Sequence, residues 1–178
     1  KKFFRKINNI IIGKVKTILK NGIIICLQNS NVACFLKNNE KILTEIYRVG
    51  AKIKIYLVAI DTKRKKFYLN VSRACNGMLY ALLHKEIPEI STGKVIVKKI
   101  ARIPGIRAKI IVQSTTEYIE PIGSCVGINA IRIKKISEEL NNEKIDIVLW
   151  DKNPIKFLLN IISPTTVASI TFCNEKKT

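Results

Sequence analysis

The chain has 178 residues, 47% of them hydrophobic, with a formal net charge of +19. That apolar content supports packed cores and excludes wholesale disorder, and the charge points to an anionic partner, nucleic acid or an acidic surface. Five cysteines, odd in number and without a C-x-x-C pair, argue against a disulfide framework or a zinc site and for a reducing cytoplasm.

The first residue is Lys rather than Met, so the chain reads as a fragment or a processed product. Residues 1–9 are expected to be a linker. Their start, Lys1-Lys2-Phe3-Phe4-Arg5-Lys6, is too short and too basic for a signal peptide. No apolar run approaches the ~18 residues of a membrane span, so no membrane partner is expected.

Residues 10–73 read as five short strands, which suit a small OB-type β-barrel. Lys14 to Leu19 alternate, and Lys20-Asn21-Gly22 is a hairpin turn. Gly22 to Leu27 is an apolar strand. Asn29-Ser30-Asn31 turns the chain into a third, Val32 to Leu36. After a longer connection, Arg48-Val49-Gly50 introduces a fourth strand. There Ile53, Ile55, Leu57 and Ala59 share one face, and Lys52, Lys54 and Tyr56 share the other. Asp61 to Lys65 is a charged turn. In the fifth strand Phe67, Leu69 and Val71 point one way.

Residues 74–152 change period. Met78, Leu79, Leu82 and Leu83 recur at helical spacing, and Pro88 ends that helix, which reads as a connector between domains. Residues 93–150 then read as strand, strand, helix, helix, strand. Ile103-Pro104-Gly105-Ile106 is the hairpin turn between the first two. In the second strand Ile106, Ala108, Ile110 and Val112 share a face. Pro121 opens a short helix that ends near Gly127. A second helix runs from about Ala130 to Leu140. Ile133, Ile136 and Leu140 form its buried stripe; Arg132, Lys135 and Glu139 form an exposed one. Lys144 to Trp150 is a strand with Ile145, Ile147 and Leu149 inward.

Residues 153–178 start a third unit. Asn153 caps a helix that begins at Pro154, with Phe157, Leu158 and Ile161 as its apolar stripe. Val167 to Phe172 reads as one more strand. A helix and a strand cannot close a core alone, so this piece is expected to be a truncated domain.

Charge is unevenly spread along the chain. Residues 1–73 hold 17 basic and 3 acidic side chains, and residues 74–178 hold 15 and 10. Abundant Ile, Lys and Asn suggest drift toward A and T, but uniform drift does not load one end. The first half therefore reads as an electrostatic grip on phosphates, with Lys14, Lys16 and Lys20 on one strand face and Lys52, Lys54 and Tyr56 on another. The second candidate is the turn Gly127-Ile128-Asn129-Ala130 between two helices. Such a turn can bring backbone N–H groups and a helix N-terminus against phosphates. Its spacing equally suits a plain packing corner. Arg132 and Lys135 follow on the next helix. His84 is the sole histidine, so no histidine metal cluster can form, and no nucleophile–base–orienter set can be assembled. No catalytic residue, metal or cofactor is expected.

Several segments carry a family resemblance. They are Glu86-Ile87-Pro88-Glu89-Ile90, Ala101 to Arg107, Pro121 to Gly127 and Glu143 to Trp150. In that order and spacing they resemble the first KH domain of the NusA transcription factors. Asp151-Lys152-Asn153-Pro154 and Ser163-Pro164 to Ile170 look like the passage into the second KH domain of that family. The upstream barrel is similar to the S-one-type OB module that precedes the KH pair. The resemblance implies an α+β architecture: a five-stranded OB-type barrel, a prokaryotic-type (type II) KH domain, and the start of a second KH domain.

It also implies a role. The family holds single-stranded nascent RNA with these modules and modulates pausing, termination and antitermination. It binds RNA polymerase mainly through a domain expected before Lys1, and works with other antitermination factors. A cytoplasmic monomer is expected. Two departures stand out. The family pattern Gly-x-(Lys or Arg)-Gly is here Gly127-Ile128-Asn129-Ala130, which implies weaker clamping. Ile23, Ile24 and Ile25 occupy the place where better-known S-one modules carry aromatics, which implies poor base stacking. The second functional reading is an RNA-binding accessory module of an RNA-degradation complex. Polynucleotide phosphorylase joins the same modules in reverse order.

Overall fold

A computed structural model of the chain describes residues 8–28, 30, 32–63, 66–165 and 169–170. Most of the expected linker, the Asn29 and Asn31 positions of the second turn, Arg64-Lys65 and most of the strand expected at 167–172 lie outside these residues.

Alternation builds the first unit. In β1 (Ile10–Leu19), Ile11, Gly13 and Val15 point inward and Ile12 and Lys14 outward. β1 pairs antiparallel with β2 (Gly22–Leu27) and with β4 (Lys52–Lys63). β3 (Ala33–Lys37) pairs with β2, and β5 (Lys66–Ser72) pairs with β4. A parallel bridge between Phe35 and Asn70 joins β3 to β5 and closes the barrel in the order β1-β2-β3-β5-β4. Val15, Ile23, Ile25, Leu36, Ile55 and Leu57 fill its interior.

The hairpin after β1 uses Lys20 and Asn21 as its two loop residues, because Leu19 pairs with Gly22. Gly22 is needed for close approach: a Cβ there would lie 2.5 Å from the Leu36 carbonyl and from the Phe35 ring.

The segment read as a connector is instead a core element. α1 (Asn76–Glu86) buries Met78, Leu79, Leu82 and Leu83. They pack with Ile87 and Ile90 against Val95, Ala108, Ile110 and Val112 of the following sheet. The four apolar positions need a hydrophobic partner, and this sheet face supplies it. α2 (Pro88–Ser91) follows at once.

The sheet has the order β6 (Val95–Ile103), β7 (Arg107–Ser114), β8 (Lys144–Leu149). β7 runs antiparallel to β6 and parallel to β8. At the β6–β7 turn Gly105 adopts φ +75°, and Ile106 N–H donates to Ile103 O at 3.0 Å. Between β7 and β8 lie α3 (Pro121–Val126) and α4 (Ile131–Glu139). Glu120 caps α3 by accepting from the Ile122 and Gly123 amides.

Ile145 and Ile147 pack on the core as expected, yet Val148 is the more buried residue. Val148 points to the opposite face of β8, paired in register with Ile111. α5 (Pro154–Ile162) covers that face: Asn160 donates to Leu149 O, and Lys109 Nζ donates to Ile161 O. Asn153 caps α5 through the Ile155 and Lys156 amides, as expected.

The two units meet through Ile42, buried in the second unit's core, and through Lys54 and Arg73, which both pair with Glu139 of α4. The Arg73 guanidinium, 1% exposed, makes a two-pronged pair with Glu45 at 2.8 Å and also donates to the Lys54 and Glu139 carbonyls. Burial disfavours its charge, but Glu45, Tyr47 and Glu139 outweigh this and raise its affinity for the proton. Arg102 and Glu143, both in the second unit and with fully buried side chains, form a second two-pronged pair at 2.7 and 2.8 Å. Arg102 also donates to the Arg73 and Cys75 carbonyls, and Glu143 accepts the Gly105 amide. Asn141 donates to Thr44 from across the junction.

Candidate nucleic-acid interface

The barrel registers define rows of outward side chains. Ala33, Cys26, Lys14 and Lys52 form one row across β3, β2, β1 and β4. Asn70, Phe35, Ile24 and Thr17 form the adjacent row across β5, β3, β2 and β1. Lys14 and Lys52 are therefore direct cross-strand neighbours, with Cβ atoms about 4.5–5.5 Å apart in such pairs. Like charges so placed repel, and a bound anion relieves that repulsion. Neither lysine has an acidic partner among the described residues, and both are exposed.

Phe35 is the residue that sequence reading missed. It stands half-buried on the outer wall, in a shallow groove of about 370 Å³ with Ile24, Ala33, Lys37 and Asn70. The strand 2–3 face is where OB barrels take up oligonucleotides, and an aromatic there is a base-stacking platform. The expectation of poor stacking looked only at the strand after the first turn, where Ile23 and Ile25 prove to be interior and Ile24 outward. Alternation around Phe35 could have revealed it: Cys34 and Leu36 point inward, so Phe35 must point out.

The predicted cations do not form one face. β1 carries a bulge at Lys16, which has no partner on β2: Val15 pairs with Ile25 and Thr17 with Ile24. Lys20 lies in the hairpin loop, not on the strand. The shared face of Lys14, Lys16 and Lys20 is thus broken. Lys54 is drawn into an ion pair with Glu139 of α4. Tyr56 packs over Gly77 of α1 and donates to Asn8 Oδ1 at 3.2 Å. Both belong to the junction between barrel and KH-like domain.

The α3–α4 turn is tight. Gly127 has φ 74°, Asn129 φ 52° and Ala130 φ 58°. Asparagine tolerates the left-handed region; the Ala130 Cβ costs about 1–2 kcal/mol there. This explains why glycine occupies that place in the pattern Gly-x-(Lys or Arg)-Gly. The tip is apolar, since Ile128 is 85% and Ile131 64% exposed.

The stripe expected to be exposed on α4 is partly consumed. Arg132 folds back across the turn, donating to Ser124 O at 2.6 Å and to Glu89 at 2.8 Å. Its side chain covers Gly127, where a Cβ would lie 2.9 Å from Arg132 Cγ. Lys135 pairs with Glu86 at 2.5 Å while staying largely exposed. Glu139 is half-buried against Lys54 and Arg73.

Two thiols are packing residues. Burial pushes Cys34 up to about 12 and Cys125 up to about 11, so both stay protonated at neutral pH.

A closed five-stranded OB-type barrel followed by a KH-like domain defines a nucleic-acid-binding class of protein. Residues 73–150 match the family model of the NusA-like first KH domain, an RNA-binding module. The chain is a relative of NusA. It is 45% identical over 143 residues to the transcription termination/antitermination protein NusA of Thermus thermophilus, which covers 80% of this chain and 37% of that protein. It is 34% identical over 175 residues to the protein of the same name from Bacillus subtilis, covering 98% and 47%. The chain thus spans less than half the length of these two relatives. A solved multidomain protein with nucleic-acid-binding domains from Streptococcus pneumoniae shares 15% identity at a TM-score of 0.33, over 76% of this chain and 42% of its own.

Proposed function

We propose that this chain is the RNA-holding part of a transcription elongation factor that binds single-stranded nascent RNA and so modulates pausing, termination and antitermination at RNA polymerase. The observation that carries the reading is the barrel wall: an outward phenylalanine in one row and, in the next, a lysine couple with no acidic partner among the described residues. Phosphates lie against Lys14 and Lys52, and a base stacks on Phe35. Lys16 and Lys20 extend the positive field toward the first hairpin. The KH turn contributes the backbone amides of Ile128 and Asn129, since those of Gly127 and Ala130 donate to the Gly123 and Gly127 carbonyls, and it adds little charge, because Arg132 is committed to Glu89.

In this reading residues 10–73 are the barrel, 74–152 the KH domain and 153–178 the opening of a second KH domain. RNA polymerase and other antitermination factors are the protein partners, the site of action is the cytoplasm, and the chain is a monomer without catalytic activity. Among the described residues no helix is long and apolar enough to cross a membrane. The named relatives favour this over an accessory module of RNA degradation. Filter binding of the chain to single-stranded RNA at two salt concentrations tests it. Affinity should fall steeply with salt; no salt-dependent binding would overturn the reading.

A further inference from the structure

A second groove lies where the barrel meets α1, and it shares no lining residue with the Phe35 groove. It has a volume of about 360 Å³ and is lined by Asn9, Ile12, Lys54, Ala81, His84 and Lys85, among others. That volume is within the range of small-ligand sites. Ile12, 43% exposed, forms an apolar floor. His84 and Lys85 are exposed on the opposite side, and Tyr80 stands one helical turn before His84, with ring centroids 6.3 Å apart.

The groove continues the barrel rows. Ile12 is two residues before Lys14 on the same face of β1, and its β4 partner Lys54 is two residues after Lys52. Two strand residues span about 6.7 Å. A single strand leaving the Lys14–Lys52 couple along β1 and β4 therefore reaches Ile12, and then His84 and Lys85. Lys54 is tied to Glu139, so Lys85 is the cation of this groove that has no acidic partner among the described residues. The composition suits one nucleotide: an apolar floor for a base, an imidazole to cover it, an amide at Asn9 for its edge, and an ammonium for its phosphate.

The geometry points to this groove as a nucleotide subsite that carries the RNA track from the barrel onto α1. The inference rests on the RNA-binding reading above and adds a place to it. The roles differ in kind: Lys85 acts through charge, and His84 through stacking.

The test uses the whole chain and an oligouridylate of about 12 nucleotides, within the site sizes of one OB fold. Lys85→Gln should reduce the magnitude of the slope of log affinity against log salt by about 0.7, one phosphate contact on a single strand. His84→Ala should lower affinity about fivefold with the slope unchanged. Lys94→Gln, at an exposed lysine just before β6, should change neither. With 4-thiouridine in the oligonucleotide, the wild-type chain should crosslink within residues 76–86. A wild-type slope in Lys85→Gln, with crosslinks confined to the barrel wall, would overturn the subsite while leaving RNA binding intact. An equal loss in Lys94→Gln would also overturn it, since the effect would then be diffuse charge. Absence of any salt-dependent binding by the wild-type chain would instead defeat the underlying reading, and the subsite with it.

Discussion

The junction and the barrel wall use the same residue types to opposite ends. At the junction Arg73, Lys54 and Arg102 each meet a carboxylate, and beside it Arg132 and Lys135 do so on α4. On the wall Lys14, Lys16, Lys20 and Lys52 meet none among the described residues. A net charge of +19 says that cations are in excess but not which ones are free. Pairing sorts them. A buried cation without a carboxylate is too costly to keep, whereas an exposed one is tolerated and remains available to a polyanion. Charge density along the chain marks the basic half of the molecule, and pairing then separates Lys54, tied to Glu139, from Lys14 and Lys52, which have no acidic partner among the described residues.

The largest effect is expected at Glu143. Replacing it by Ala leaves the fully buried Arg102 charge without its partner, and loss of one member of a buried pair costs about 3–5 kcal/mol. Urea unfolding should register a loss on that scale. A change under about 1 kcal/mol would show that the pair is not a brace.

On the wall the opposite result is expected. Changing Lys14, Lys16, Lys20 and Lys52 together to Ala should leave the urea midpoint almost unmoved. The salt slope for single-stranded RNA should shrink by up to about 2.8, four contacts at roughly 0.7 each. Lys54→Ala should do the reverse, sparing the slope and costing no more than about 1 kcal/mol of stability, since both partners are partly exposed. If Lys54 lowers the slope as much as Lys14 does, the division between junction and wall is wrong.

Phe35 sharpens the wall further. Phe35→Ala should weaken RNA binding by about 1–3 kcal/mol, the range for one base stacked on an aromatic. The slope should hold, because no charge is lost. Titration by fluorescence anisotropy would separate the two effects, and undiminished affinity would remove Phe35 from the interface.

The smallest effect is expected at the α3–α4 turn. Ala130→Gly relieves the left-handed Cβ but adds freedom to the unfolded chain, so the net gain should be about 0.5–1 kcal/mol in unfolding. Adding Asn129→Lys should tighten RNA binding modestly. Unchanged binding would mean that the turn is a packing corner and the wall holds the RNA alone.

Periodicity and turn chemistry were enough to read most elements from the chain. Alternation marked the barrel strands. Pro104-Gly105 marked the β6–β7 turn. Pro121 and Asn153-Pro154 marked helix starts. Each of these is a local signal, set by the conformational preferences of a few neighbouring residues. The same local rules placed Ile55, Leu57, Leu82 and Ile136 in cores.

What eluded local reading depends on partners distant in sequence. Nothing near Lys54 announces Glu139, 85 residues on. Nothing near Arg73 announces Glu45 and Glu139 together. The helix at 76–86 resembled a connector because its partner sheet begins only at Val95. The bulge at Lys16 follows from how β1 must bend between β2 and β4 to close the barrel. Which strand face meets the core is a two-residue rhythm that the chain carries in itself. Which surface cation stays clear of a carboxylate is settled by folding, because a carboxylate can pair with an ammonium only once the fold has brought them within reach.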